Sequence, residues 1–175
     1  MITLDSKRLV LNPLSLEQLE TALVSIRMLA GSMGVPIVSR LLDGTVDRAV
    51  TMKIKKMHSI PREKHPWFTY WLIVLKEEKI GAGLVGYKGS PNENGEVEIG
   101  YGIDEQYQRC GYMTEAVNTL NEWAFAHSEV RAITATRVLV KNFASQKVLI
   151  KTGFSEISSD SDFINYILPK ANFIT

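Results

Sequence analysis

The residues best suited to chemistry lie in one segment, GYGIDEQYQRCGYMTEA (100–116), which reads as a strand end, a short polar turn, a glycine and a helix start. The first turn of a helix leaves backbone N–H groups without intrahelical partners and carries a partial positive charge, so a phosphate can settle there. Gly111 permits close backbone approach, and Arg109 adds a cation able to pair with phosphate. On its own the pattern says only that an anion site can form at a helix start, because most glycine-bearing turns of this kind bind nothing.

Other patterns carry less. GAGLVG (Gly81, Gly83, Gly86) satisfies the dinucleotide fingerprint by letter, yet the YKGSPNENG that follows cannot open the helix which that fingerprint requires. Glycines in a crowded strand explain it better. His58, His65 and His127 lack the spacing of metal ligands, so no metal is predicted. Cys110 has no histidine beside it in sequence to activate it as a nucleophile and reads as a loop residue. The stretch KIKKMHSIPREKH (53–65) is locally basic and could attract an acidic tail, an RNA phosphate or other phosphates, but a solvated helix face is the stronger reading. Trp67, Trp71 and Trp123 fall within regular elements and read as core or groove wall, not as a base-stacking platform.

The elements that must hold residues 100–116 can be read from hydrophobic period and capping. KRLVLN (7–12) forms a short strand ended by Pro13, and Ser15 caps a helix beginning LEQLETAL. Between 28 and 65, Leu41, Leu42, Val46, Ala49, Val50, Ile54 and Met57 recur at helical spacing after a stretch broken by Gly31, Gly34 and Pro36, giving one or two helices. Residues 67–75 and 80–87 read as a hairpin turning at Glu77 and Glu78, and 97–103 as a third strand stopping at Asp104 and Glu105. The clearest amphipathic helix spans 114–127, with Ala116, Val117, Leu120, Trp123 and Ala124 on one face. A strand over 131–140 follows, then a helix from its cap Asn142 to Thr152 with Gly153 as its left-handed stop, and a final strand pair at 154–157 and 163–168. This order predicts one α+β domain over 1–175, a central, mostly antiparallel twisted sheet flanked by helices.

Around the turn, the wording of the chain resembles the GNAT superfamily, and within it the ribosomal-protein N-terminal (RimJ/RimL-like) acetyltransferase branch. QRCGYM stands for that family's loop Gln/Arg-x-x-Gly-x-Gly/Ala, VEIGYGI for its fourth strand, GYMTEA for its helix start and NFASQKVLIKTGF for its last block. KRLVLNPLSLEQLE resembles the branch's opening strand and helix, so the resemblance covers nearly the whole chain in the family's order. It implies the GNAT fold, acetyl-CoA as the acyl donor and transfer to a primary amine in a ternary complex. Position by position, it implies that Gln108, Arg109, Cys110, Gly111, Tyr112, Met113 and Thr114 hold the diphosphate. It further implies that the backbone of Tyr101, Gly102 and Ile103 pairs with pantetheine, and that Asn142 and Ser145 lie near its arm. Met113 departs from the family's Gly or Ala, so its side chain must point away from the cofactor or loosen the fit.

The resemblance also implies catalytic roles. Glu98 matches a family carboxylate and is the candidate general base, with Glu96 the alternative on the same strand face; a strand carboxylate paired with a surface cation is the competing reading of Glu98. Ser145 is the candidate donor of a proton to the departing thiolate, and backbone N–H groups where the strand leaves its neighbour would stabilise an oxyanion. A protein α-amine, with a pKa of about 7.7 to 8.0 against about 10.4 for lysine, is the easier acceptor to deprotonate, and a small-molecule amine is the other acceptor class. The acceptor is expected to enter on the side opposite the cofactor, past residues 28 to 65. The competing classes are a non-catalytic acyl-CoA-binding module and an RNA-associated protein; the latter predicts steeply salt-dependent binding.

Bulk properties agree. Of 175 residues, 45% are hydrophobic and 22% charged, and the net charge of +1 supplies no field that would draw the chain to nucleic acid or an anionic membrane. The N-terminus lacks the basic start and apolar core of a signal peptide, no apolar run approaches the roughly 20 residues a membrane helix needs, and one cysteine cannot form an internal disulfide. A cytoplasmic setting is expected, and a homodimer is left open.

Overall fold

In a computed structural model, residues 2–42 and 44–173 are described. Their strands are β1 Leu4–Asp5, β2 Leu9–Pro13, β3 Trp71–Leu75, β4 Ile80–Tyr87, β5 Glu96–Ile103, β6 Ala132–Leu139, β7 Ser155–Ser159 and β8 Phe163–Pro169. The helices are α1 Leu16–Val24, α2 Ile26–Met33, α3 Gly44–Met57, α4 His65–Phe68, α5 Tyr112–Phe125 and α6 Phe143–Lys151. The strands form one sheet in the order β1-β2-β3-β4-β5-β6-β8-β7, antiparallel throughout except for β5 beside β6. The expected α+β architecture is therefore present. Apolar residues of α5 and α6 (Ala116, Val117, Leu120, Leu149) pack on one sheet face, whereas Leu19, Leu29, Val50 and Met57 of α1 to α3 form a second cluster with Leu72 and Leu84.

Local signals set most boundaries. Ser15 and Gln18 form a reciprocal capping box at α1, Asn142 accepts from the Ser145 amide at α6, and Gly153 adopts φ 88° just beyond the α6 cap, Thr152. Crowding accounts for the glycines of β4: a Cβ on Gly83 would lie 2.6 Å from the Gly102 carbonyl oxygen, and one on Gly86 2.5 Å from that of Thr69.

Four expectations need correction. Residues 67 and 68 belong to α4, not to a strand; Pro66 fits the first helical turn, where its missing N–H is no loss, and Trp67 packs on Trp123 with ring centroids 4.4 Å apart. Gly31 lies inside α2, whose stop is Gly34 at φ 64°. Pro13 is the last residue of β2, paired with Trp71, not a residue beyond it. The helix expected from 114 begins at Tyr112, because Gly111 takes the left-handed cap conformation.

The basic stretch is not wholly solvated. Lys53 is only 8% exposed, and its Nζ donates to the carbonyls of Tyr87 (2.5 Å), Phe68 (3.1 Å) and Thr69 (3.3 Å), beside the Tyr70 ring. Burial, aided by Lys56 and Lys88, pulls its pKa down from 10.5 to about 7. Between those values the unfolded chain keeps a proton that the folded chain gives up, so this group makes stability rise with pH across that window. Urea midpoints from about pH 7 to pH 10 should climb more steeply for the wild type than for Lys53→Met; equal slopes would contradict this.

Candidate active site

The parallel pairing of β5 with β6 is short. Glu96, Val97 and Glu98 lie opposite Ala132, Ile133 and Thr134, after which the strands diverge. From Ile99 to Ile103, β5 stays in register with β4 only. A wedge therefore opens in the sheet, and the backbone edge along residues 99–103 faces it.

The 108–111 turn and the start of α5 close one side of the wedge. Arg109 (φ 63°) and Gly111 (φ 80°) both take left-handed backbone, and successive reversals of this kind turn amides toward a common anion. No side chain caps α5, so the amides of its first turn are not claimed by a capping side chain. Met113 is 7% exposed and belongs to the core, so its bulk is directed into the protein, and the residue also borders the wedge.

α6 closes the other side. Asn142 orients its first turn by accepting from the Ser145 amide at 3.1 Å, and Ser145 Oγ lies 2.9 Å from the Tyr101 hydroxyl. Burial pushes the Tyr101 pKa up to about 12 against the opposing effect of the Ser145 hydrogen bond, so the phenol keeps its proton near neutrality.

These surfaces enclose a cavity of about 490 Å³. Its lining brings together Tyr101, Gly102, Ile103, Gln108, Arg109, Gly111, Tyr112, Met113, Thr114, Asn142 and Ser145. Cys110 is absent from it; the residue is exposed, and its Sγ is 3.4 Å from the Gln108 carbonyl oxygen. Lys147 and Lys151 line the cavity although sequence reasoning did not single them out. Their i, i+4 spacing on α6 was the available signal.

A second cavity of about 1030 Å³ shares Tyr101, Gly102, Ile103, Tyr107 and Gln108 with the first. Val38 to Leu42 and Val46, within the segment expected to border the acceptor, form its far wall together with Tyr70, which lies outside that segment. Gly100 and Gly102 alternate with Tyr101 along β5, and a Cβ on either would meet nothing within 4 Å, so this strand face is an open floor.

Glu98 is the last β5 residue paired with β6 and so sits at the apex of the wedge, on the strand face that also carries Gly100 and Gly102. Its carboxylate, with 26% of the side chain exposed, accepts from Lys88 Nζ at 2.5 Å and from the Thr136 hydroxyl, and it lines neither cavity. Glu96 accepts from Asn92 Nδ2 at 3.2 Å at the far end of the strand from the turn. Among the described residues, no three His, Cys, Asp or Glu side chains converge as metal ligands, and no helix is long and apolar enough to cross a membrane.

The sequence model of the family described as "Acetyltransferase (GNAT) domain" matches residues 8–155. The uncharacterized N-acetyltransferase YjdG of Bacillus subtilis (strain 168) is 37% identical over 100 residues, 57% of this chain and 59% of that protein, so the match spans less than two thirds of the relative's length. RimL, a ribosomal α-N-protein acetyltransferase solved with coenzyme A, superposes with TM-score 0.67 at 16% identity over 96% of this chain and 98% of its own. Mycobacterium smegmatis RimJ, solved with a coenzyme A disulfide, does so with TM-score 0.66 at 18% identity over 96% and 87%. At such identities the two structures speak for the fold alone.

Proposed function

The chain belongs to the GNAT acetyltransferase family, and from that premise we propose that it moves an acetyl group from acetyl-CoA to a primary amine by direct attack in a ternary complex. The observation that carries this reading is the start of α5, free of any side-chain cap, opening onto the wedge between β5 and β6. The donor set fits the cofactor: the uncapped amides at the start of α5 and Arg109 suit a diphosphate, and Lys147 and Lys151 suit further phosphate. The strand edge at 99–103 suits the amides of pantetheine. When bound, acetyl-CoA supplies an activated acetyl thioester. RimL, named as a ribosomal α-N-protein acetyltransferase, supports a protein N-terminus as acceptor, with a small-molecule amine as the other class. A reducing, cytoplasmic setting suits the exposed thiol of Cys110.

The residues divide the work. The acceptor amine comes through the larger cavity past Gly102, and Glu98 at the wedge apex, whose carboxylate lines neither cavity, takes its proton through water. Backbone N–H groups of β5 along the wedge steady the charge that develops on the carbonyl oxygen. The Ser145 hydroxyl gives a proton to sulfur, and the protonated Tyr101 phenol beside it holds that hydroxyl in place.

Release of free thiol from acetyl-CoA tests the proposal, with N-terminal peptides, polyamines and amino acids as acceptors. Turnover is expected with at least one amine class, and Glu98→Gln should lower kcat on the order of a hundredfold with little change in the KM for acetyl-CoA. Thermal stabilisation by coenzyme A without turnover on any amine would instead mark a binding module.

A further inference from the structure

The diphosphate turn is braced from outside by the N-terminal strand region. Glu115, in the first turn of α5, accepts from the Arg8 amide at 2.7 Å, from Arg8 Nε at 2.7 Å and from the Ser6 hydroxyl at 2.8 Å. So anchored, Arg8 reaches the turn: its Nη1 donates to the Cys110 carbonyl at 2.9 Å, and its guanidinium lies 4.5 Å from the Tyr112 ring centroid. Arg8 does not line the cofactor cavity, whereas Gly111 does.

The peptide between Cys110 and Gly111 is the one that Arg8 holds. In a trans peptide the C=O and N–H point in opposite directions, so a carbonyl drawn toward Arg8 turns the Gly111 N–H toward the cavity. Arg109, just before this peptide, stands in left-handed backbone, which a non-glycine residue keeps only when its surroundings hold it. A flipped peptide would present a carbonyl oxygen to the diphosphate.

We propose that Arg8, anchored by Glu115, is a positioning residue that fixes the Cys110–Gly111 peptide with its amide toward the diphosphate. The inference rests on the reading of this turn as the diphosphate site. It differs from a direct phosphate contact by Arg8 in a way that changes the sign of an experiment. If Arg8 worked as a free cation on phosphate, removing the Glu115 charge would strengthen the cofactor's hold. If Arg8 works through the turn, losing its anchor weakens that hold.

The test compares kcat/KM for acetyl-CoA with that for S-acetylpantetheine, which lacks the diphosphate, in the wild type and in Arg8→Met, Arg8→Lys and Glu115→Gln. The preference for acetyl-CoA is expected to fall about ten- to a hundredfold in Arg8→Met and about three- to tenfold in Glu115→Gln, the range for losing hydrogen bonds to charged groups. Arg8→Lys should fall as well, since one ammonium cannot reproduce both contacts of the guanidinium fork. A merely structural role would lower both rates together and leave the ratio unchanged, which would overturn the proposal, as would a rise in the ratio for Glu115→Gln. If Arg8→Met does not fold, the other two variants decide by the same ratio. A wild type that shows no preference for acetyl-CoA would remove the diphosphate reading itself, an outcome distinct from failure of the brace alone.

Discussion

Replacing Ser145 with alanine is expected to lower kcat for acetyl transfer by about 10²-fold or more, the usual reach of a positioned general acid, with little change in the KM for acetyl-CoA. The substitution removes little else. Asn142 caps α6 through the Ser145 backbone amide, which alanine keeps, and alanine is a better helix former than serine. What disappears is the hydroxyl 2.9 Å from Tyr101 at the meeting of the two cavities. Steady-state kinetics at saturating amine measure the loss, and an acetyl thioester of a more acidic thiol should recover much of it because its sulfur needs less help from an acid. An unchanged kcat would reduce Ser145 to a residue of the helix start.

Gly111→Val should act on the other half of the reaction. Gly111 holds φ 80°, where an L-residue costs about 1–2 kcal/mol and a β-branched one more, and a new Cβ would lie 3.4 Å from Arg8 Nη2. Global stability should fall by about that amount. Affinity for coenzyme A should fall further, about a hundredfold, because amides must be turned as a set to hold a diphosphate. Calorimetric titration beside urea unfolding separates the two effects, and full-strength binding by this variant would move the diphosphate away from the turn.

Much of the architecture was legible because its signals are local. Ser15, Asn142 and Gly153 announce caps and stops within three or four residues, and the apolar stripe Ala116, Val117, Leu120 and Ala124 defines α5 by period alone. The turn at 108–111 was legible for the same reason: strand, glycine and helix follow one another in the chain. What escaped depends on partners far away in sequence. Residues 67 and 68 have strand composition but belong to the short helix α4, where Trp67 packs on Trp123 and Tyr87. Lys53 sits among lysines that suggest a solvated face, and only the carbonyls of Phe68, Thr69 and Tyr87 account for its burial. Met113 stood in doubt until the core supplied a place for its side chain. Arg8 and Glu115 are 107 positions apart, beyond any periodicity or capping rule. Glu98 was legible as a residue, but Lys88 and Thr136 could be recognised as its partners only from strand register.

Among the described residues, the strand ladder between the β1–β5 half of the sheet and the β6–β8 half has three rungs, Glu96–Ala132, Val97–Ile133 and Glu98–Thr134, extended by the Arg131 amide donating to the Gly95 carbonyl at 2.7 Å. Mechanically, the molecule is two plates sharing a short seam. A guest whose own amides paired with both rims would lengthen that seam and stiffen the sheet as a splint does.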